Sequence, residues 1–376
     1  MKRIFTVRTA ALLVLLALAL SLFVSCKDGD GTDTGETTAG GGETLAPAEK
    51  MDLLGMDLSP YIAVKQYKGV PVTVRELDYV VALRELLRED GAYYEEYKGD
   101  EITVAEGDIV NVNYTGYLKG KQFEGGKASN QDVTVCDGMG YIDGFATGFI
   151  GATVGEASSF DVTFPENYGE PSLAGQEVTF EFTVNYVYVF DDVTDEMAKD
   201  LSDGEFTTAA DFEADLRSHV VQKVLWEKIL DEATVKKYPE QHLNYYYRNT
   251  RTVYEYYADR NGMSYESFLK AMGLTDADLY DSAKLYVKED LVTFAIRNAE
   301  QIELSEEEYD AKIGFYIKRY KDELNYTDAE IEENMEQIEE NMLFDKLQSL
   351  LVEWADVTWE GRETAPDGDE MLPDTE

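Results

Sequence analysis

The spacing of apolar residues along the chain changes near residue 191 and predicts two kinds of structure. Before that point, apolar and polar residues alternate in three stretches, which are Val110–Tyr114, Phe160–Phe164 and Val178–Val184. A period of two is typical of antiparallel strands with one buried face, and the glycines between the stretches indicate turns. Three residues at helical spacing predict one short helix among the strands: Ile142, Phe145 and Phe149. Residues 101–191 are therefore predicted to form a sheet wrapped round a short helix.

The zone from residue 192 to residue 360 has the apolar period of α-helices. Its stripes are Phe212/Leu216/Val220/Val224, Val287/Leu291/Phe294, Tyr309/Ile313/Tyr316/Tyr320 and Ile331/Met335/Ile338/Met342. The predicted helix starts carry capping residues, which are Thr208, Thr275 with Asp278, Ser305 with Glu308, and Thr327 with Glu330. The fold class predicted for the chain is α+β: an antiparallel sheet domain followed by an all-α domain of long helices.

A shorter zone, residues 60–100, precedes the alternating one and is predicted to be a strand-helix linker arm. Its strand is Lys68–Val72, and Thr73 and Glu76 have the spacing of a capping box. The apolar stripe of the helix that follows is Val80, Leu83 and Leu87.

The N-terminal residues 1–25 have the order of an export signal. Lys2, Arg3 and Arg8 precede an apolar run, and Ser25 stands directly before Cys26. A small residue before cysteine is what a lipoprotein signal peptidase requires, so we expect residues 1–25 to be removed and Cys26 to carry lipid. The protein would then be extracytoplasmic, anchored to the outer face of the bacterial cell membrane. The alternative is an uncleaved membrane helix, but the apolar run is shorter than the roughly 20 residues of a span.

Two segments lack the apolar residues that a core requires. Residues 26–59 begin with a long run of Gly, Thr, Asp and Glu and are predicted to be a flexible tether. The tail, residues 361–376, is similarly polar and is predicted to be disordered and acidic.

The formal net charge of the chain is −43, which excludes a nucleic-acid partner. Without residues 1–25, 30 basic side chains would face 76 acidic ones, a net charge of −46. Nucleic-acid binding needs basic side chains that replace phosphate counterions, so this surface would repel it. We interpret the acidic surface as a source of solubility.

Residues for strong acid-base or metal chemistry are scarce. The two histidines, His219 and His242, lie on separate predicted helices, and no Cys or carboxylate pattern completes a metal site with them. No metal and no cofactor are expected. With Cys26 modified, Cys136 has no disulfide partner, and we interpret it as a small strand residue rather than a reactive thiol. Any catalysis would have to come from an apolar pocket.

Motifs in residues 107–188 carry a resemblance to a known family. They are Val112-Asn113-Tyr114-Thr115-Gly116, Phe123-Glu124-Gly125-Gly126-Lys127-Ala128-Ser129, Ile142-Asp143-Gly144-Phe145 and Val162-Thr163-Phe164-Pro165-Glu166-Asn167-Tyr168. Together they resemble FKBP-type prolyl isomerases, and most closely the version found inside trigger factor. The flanks agree, because Tyr67–Val70 resembles trigger factor's link into this domain and residues 238–308 resemble its helical chaperone arms. The resemblance implies unfolded or nascent secreted polypeptides with X-Pro bonds as partners.

The resemblance also assigns site residues. The catalytic set is Tyr114, Phe123, Glu124, Ile142, Phe145 and Tyr168, and the substrate-binding set is Val133, Val135, Tyr141 and Phe180. Phe145 would form the floor beneath the proline ring. The Ile142 backbone N–H and the Tyr168 hydroxyl would orient substrate carbonyls, with Glu124 in the place of a family acid beside them.

The chain departs from the family pattern in two places, and the second departure favours a rival hypothesis. No segment corresponds to the ribosome-docking domain of trigger factor, so no ribosome docking is expected. The family's Ile-Pro-Gly-Phe-Glu is here Ile142–Ala146, with Asp143 and Ala146 in place of Pro and Glu. These two substitutions favour a non-catalytic holdase or binding lipoprotein that uses the FKBP fold as a scaffold.

Overall fold

The computed structural model describes residues 49–361. The predicted signal peptide, Cys26, most of the predicted tether and the acidic tail lie outside the described residues. Contacts within the chain divide it into two compact units. We call Pro71–Val221 with residues 357–361 the sheet unit, and Gln222–Asp356 with residues 49–70 the helical unit. The predicted α+β fold class is confirmed. The predicted domain boundaries stay predictions.

The sheet unit is built on five antiparallel strands. They are β3 (Tyr94–Tyr97), β4 (Ile109–Leu118), β5 (Lys121–Thr134), β6 (Ala157–Thr163) and β7 (Glu177–Phe190). Strand β7 pairs with β4 along one edge, and β4 pairs with β5 on its far side. The other edge of β7 is shared, since β6 pairs with its first half and β3 with its last four residues.

The alternating sequence of β7 explains its place in the sheet. Val178, Phe180, Phe182 and Val184 are all at most 5% exposed, and the residues between them face away from this core. Successive side chains of a strand point to opposite faces, so these four residues form one continuous apolar surface. The core of the sheet unit forms on that surface.

The predicted short helix is wrong in its extent. The structure has only a 3-10 helix at Thr147–Phe149, preceded by turns. Gly144 and Gly151, at φ +83° and +84°, adopt the left-handed region on either side, which interrupts regular helix geometry. Phe145 and Phe149 nevertheless point into the core, where they are 4% and 0% exposed.

Two strands and two helices complete the sheet unit, together with the first part of a long helix described below. They are β2 (Pro71–Arg75), paired with β9 (Asp356–Glu360), α1 (Glu76–Asp90) and α2 (Asp195–Leu201). The predicted capping box of α1 is displaced, because Thr73 lies in β2. Arg75 is the N-cap instead, and its backbone N–H donates to the Asp78 carboxylate at 3.1 Å. Leu87 is buried as predicted.

Helix α3 (Ala209–Glu232) begins in the sheet unit, and the division between the units falls within it. The remaining helices are α4 (Glu240–Arg260), α5 (Tyr265–Ala271), α6 (Asp276–Glu300), α7 (Glu306–Leu324), α8 (Asp328–Glu333) and α9 (Met335–Trp354). Strand β1 (Ile62–Ala63) pairs with β8 (Thr234–Val235). The predicted caps Thr275, Ser305 and Thr327 are confirmed, since each hydroxyl accepts a backbone N–H three residues on. Within residues 49–361, every helix is too short or too polar to cross a membrane.

The buried face of α3 differs from the predicted stripe. Phe212 is buried, but Val220 and Val224 are only partly so. Val221, Leu225 and Ile229 are buried instead, so the buried face is shifted by about one residue along the later turns.

The predicted tether extended to residue 59, but its described part is packed. Leu53 is 1% exposed, and the Asn298 amide donates to the carbonyls of Leu53 and Met56 at 3.0 and 3.2 Å. The backbone N–H of Met51 donates to Nδ1 of His242 at 3.4 Å. The segment near residue 50 is therefore part of the helical unit and not a free linker.

We predict that Leu53→Ala lowers the free energy of unfolding of the helical unit by about 2–5 kcal/mol, because it leaves a cavity in a packed site. Leu54→Ala is the matched control: Leu54 is 58% exposed, and its truncation should change stability by less than about 0.5 kcal/mol. Urea unfolding followed by circular dichroism measures both. Equal midpoints for the two variants would show that this segment does not contribute to the core.

Candidate prolyl-binding site

Phe145 lies at the centre of a cluster of aromatic rings in the sheet unit. Its ring centroid is 5.2 Å from that of Tyr114 and 4.9 Å from that of Phe180, both edge to face. Phe149 and Phe160 lie edge to face at 5.5 and 5.8 Å. These separations fall in the range in which aromatic pairs stabilise each other beyond the area that they bury. The cluster is a rigid, apolar site.

Each ring reaches the cluster from a different element. Phe180 is on β7 and Tyr114 is on the neighbouring strand β4, so the pairing of these strands fixes both rings. Phe145 comes from the turn before the 3-10 helix, where its backbone N–H donates to the Ile142 carbonyl at 3.0 Å. Residues far apart in sequence thus meet at one point.

Phe123 occupies a slot that two glycines make possible. Its ring is 5.9 Å from both Phe164 and Phe180. A Cβ atom on Gly116 would lie 2.5 Å from Phe123 Cζ, and one on Gly126 would lie 2.6 Å from Phe123 Cε2. Both distances are shorter than side-chain contacts allow, so this ring needs glycine at both positions.

Tyr168 is connected to the cluster through Phe164. The two rings are 4.5 Å apart, and Tyr168 is 39% exposed. Its hydroxyl can therefore meet a ligand from solvent. Phe164 is not among the predicted site residues. It lies in the same motif as Tyr168, residues 162–168, and this shared motif is the signal that could have identified it.

The substrate-binding residues differ in burial. Val133 and Val135 are 1% and 0% exposed and belong to the same buried core as Phe145 and Phe180. Their contact with a ligand stays a prediction. Tyr141 and Ile142 are partly buried against the same core. The Tyr141 ring stacks on Phe145, with centroids 4.9 Å apart and planes at 27°.

Glu124 lies at the surface of the sheet unit. It follows Phe123 on β5 and is exposed to solvent. Its carboxylate is therefore outside the buried ring cluster, and its place beside the orienting groups at the rim stays a prediction. A neighbouring glycine, Gly125 at φ +78°, bends the strand there.

Burial determines the ionisation of the tyrosines in the cluster. Burial raises the pKa of both the Tyr114 and the Tyr141 hydroxyl, so each remains a neutral phenol near pH 7. Within residues 49–361 no group of three or more side chains could hold a metal ion. His219 lies 3.2 Å from Asp215, and His242 is buried 3.0 Å from Asp290. The described rings of the cluster offer apolar surface and neutral phenol hydroxyls, and none of them is a strong acid or base.

The sequence is similar to proteins of known families. Residues 100–187 match the family described as FKBP-type peptidyl-prolyl cis-trans isomerase. The trigger factor of Caldicellulosiruptor bescii is 30% identical over 327 residues, which cover 80% of this chain and 72% of that protein. The trigger factor of Caldicellulosiruptor saccharolyticus is 28% identical over 328 residues, with coverage of 80% and 72%. A solved structure from work on promiscuous substrate recognition by the trigger factor chaperone also matches. The TM-score is 0.27 and the identity is 18%, and the match covers 78% of this chain and 72% of that one.

We predict that Gly116→Ala lowers the free energy of unfolding of the sheet unit by about 1–3 kcal/mol, because the added methyl group displaces Phe123 and Phe180. Gly169→Ala is the control: a Cβ atom there meets nothing within 4 Å, so stability should not fall. Thermal unfolding measures both. If both variants lost the same free energy of unfolding, crowding at Phe123 would not be the cause.

Proposed function

The chain belongs to the trigger factor family, as the resemblance predicted, and from this we propose that it is a peptidyl-prolyl cis-trans isomerase and chaperone for exported proteins. The observation that carries the isomerase half is the ring cluster around Phe145. It combines an apolar floor with an exposed tyrosine hydroxyl at its edge.

The chemistry of proline isomerisation suits such a site. Rotation about an X–Pro bond must pass a barrier of about 20 kcal/mol, which amide resonance sets. In the twisted transition state, the C–N bond loses double-bond character and the carbonyl dipole shrinks. An apolar pocket therefore favours this state over the planar amide, which water stabilises better. In this proposal, the Ile142 N–H and the Tyr168 hydroxyl hold the flanking carbonyls while the bond turns.

The helical unit would supply the chaperone half. It carries large side chains that are open to solvent, with Tyr256 at 54%, Leu285 at 69% and Phe315 at 41% exposed. It also has a cavity of about 1020 Å³ with a mixed lining, in which Leu304 and Tyr309 lie beside the charged Arg297 and Glu306. The exposed apolar side chains can hold unfolded chains, and tyrosine rings adapt to many partners because each has one polar end.

We further propose an extracytoplasmic location with a lipid on Cys26. The support is the basic, apolar, small-residue and cysteine order of residues 1–26. The described segment from residue 49 packs within the helical unit, so a lipid on Cys26 would tether the chain through that unit. Unfolded secreted chains would be the partners.

One observation favours the rival, a non-catalytic holdase on the same scaffold. Phe145 is 4% exposed, so a proline ring cannot reach it without a local rearrangement. Asp143 and Ala146 also replace the family's Pro and Glu at this turn.

The isomerase is tested with the mature chain and a short proline peptide. We predict that Tyr168→Phe lowers kcat/KM by about fivefold, because the lost hydroxyl contributes one hydrogen bond of about 1 kcal/mol. Tyr280→Phe is the matched control: this ring is also 39% exposed but is on α6 in the helical unit, so turnover should not change. Unchanged turnover in both variants would exclude the Tyr168 hydroxyl from the reaction.

The same assay separates the two proposed activities in Phe145→Ala. This variant should lose peptide turnover but still slow the aggregation of an unfolded protein, because the helical unit is unaltered. Cys136→Ser, a change of one buried atom, should leave turnover nearly unchanged. Circular dichroism must show that Phe145→Ala remains folded. No turnover by the unsubstituted chain, together with full suppression of aggregation, would favour the holdase.

The proposed location gives a separate prediction. In cells that export the full chain, mass spectrometry of the membrane fraction should find a mature N-terminus at Cys26 with added lipid. Cys26→Ser should move the protein out of that fraction. An unmodified Cys26 with Met1 still attached would refute the proposed anchor.

A further inference from the structure

Tyr141 stacks on Phe145, the residue that the resemblance assigns as the floor beneath a proline ring. Its ring lies over Phe145 at a centroid distance of 4.9 Å, with the planes inclined by only 27°. Four other rings pack edge to face on Phe145, with interplanar angles of 75° or more: Tyr114, Phe149, Phe160 and Phe180. Tyr141 is therefore the ring that covers a face of the predicted floor, and Phe145 is left 4% exposed.

The neighbours of Phe145 differ in how easily they can move. Phe180 and Tyr114 are on β7 and β4, which are hydrogen-bonded to each other and to further strands. Moving either ring would disturb the sheet. Tyr141 belongs instead to the connection between β5 and the 3-10 helix, outside any strand or helix.

Three glycines lie close to Tyr141 in this connection. Gly138, Gly140 and Gly144 all have φ between +81° and +83°, and a Cβ atom at each would meet nothing within 4 Å. Glycine tolerates a wide range of backbone angles, so these positions can absorb a change of direction. The neighbouring Met139 is 39% exposed, so the tip of this connection lies at the surface.

We propose that Tyr141 is a specificity-determining gate, whose ring must leave the face of Phe145 before a proline ring can bind there. This inference rests on the proposed isomerase function and adds a control on access to its site. A stacked pair of aromatic rings is a weak contact, so a proline peptide can displace it. Only peptides that regain this lost contact, through apolar residues beside the proline, would bind well.

The gate predicts a particular kinetic signature. When only a fraction of molecules has the binding-competent arrangement, the apparent dissociation constant rises by the inverse of that fraction. Removing the ring should therefore lower KM and leave kcat nearly unchanged, since Tyr141 has no place in the bond rotation itself. The stacking of one aromatic pair corresponds to a change of about twofold to tenfold.

The test compares variants of the mature full chain on one proline peptide. We expect Tyr141→Ala to lower KM by about twofold to tenfold at unchanged kcat. Tyr141→Phe keeps the stacked ring but loses the hydrogen bond of the hydroxyl with Gln131, so its KM should lie between those of Tyr141→Ala and the unsubstituted chain. The control is Tyr186→Ala, which removes a half-buried tyrosine of the same unit that packs on Tyr188. It should leave KM and kcat unchanged. Unfolding midpoints show that each variant is folded.

The outcomes separate this inference from the function on which it rests. An active unsubstituted chain with an unchanged or higher KM in Tyr141→Ala would overturn the gate, since Tyr141 would then be a wall that proline contacts. Turnover in Tyr141→Ala but not in the unsubstituted chain would support a gate that is closed at rest. Absence of turnover in both chains would overturn the gate together with the isomerase itself.

Discussion

The pairing of strand β7 along both of its edges is the constraint on which the sheet unit depends. One edge is bound to β4 and the other is shared by β6 and β3, so this 14-residue strand has neighbours on both sides. A strand held in this way cannot slip by one residue without turning its apolar face outward. Phe180 and Phe182 are therefore fixed on the inner face, where Phe145 and Phe149 meet them.

The positions of the aromatic rings follow from this strand pairing and from the space beside two glycines. The strands bring Tyr114 and Phe180 together, and Gly116 and Gly126 leave the space that Phe123 fills. No charged side chain is needed at the centre, because the barrier to proline isomerisation lies in amide resonance and not in a proton transfer. A dry cluster with polar groups at its rim is thus chemically sufficient for the proposed reaction.

The helical unit is assembled from two separate stretches of chain. The segment around Leu53 precedes the sheet unit in sequence, yet it packs with helices that follow that unit. Tyr67 donates to the Glu300 carboxylate at 2.7 Å, which adds a second contact of this kind, and burial raises the pKa of Tyr67 to about 12. The whole of the sheet unit lies between these two stretches in the sequence. The stability of the helical unit therefore depends on contacts between distant parts of the chain.

Features that depend on near neighbours were determined by the sequence itself. Thr275, Ser305 and Thr327 cap helices as predicted, because a cap needs only the backbone N–H three residues away. The alternation of Phe180 and Phe182 predicted a buried strand face for the same reason, and the FKBP motifs identified most of the rings. Features that depend on distant residues were decided only by the tertiary structure. It placed Glu124 in solvent, packed Leu53 within the helical unit and laid Tyr141 over Phe145. A sequence pattern records which side chains can be buried together, whereas the ring that covers a given face is chosen by the packing of elements that meet only in the folded chain.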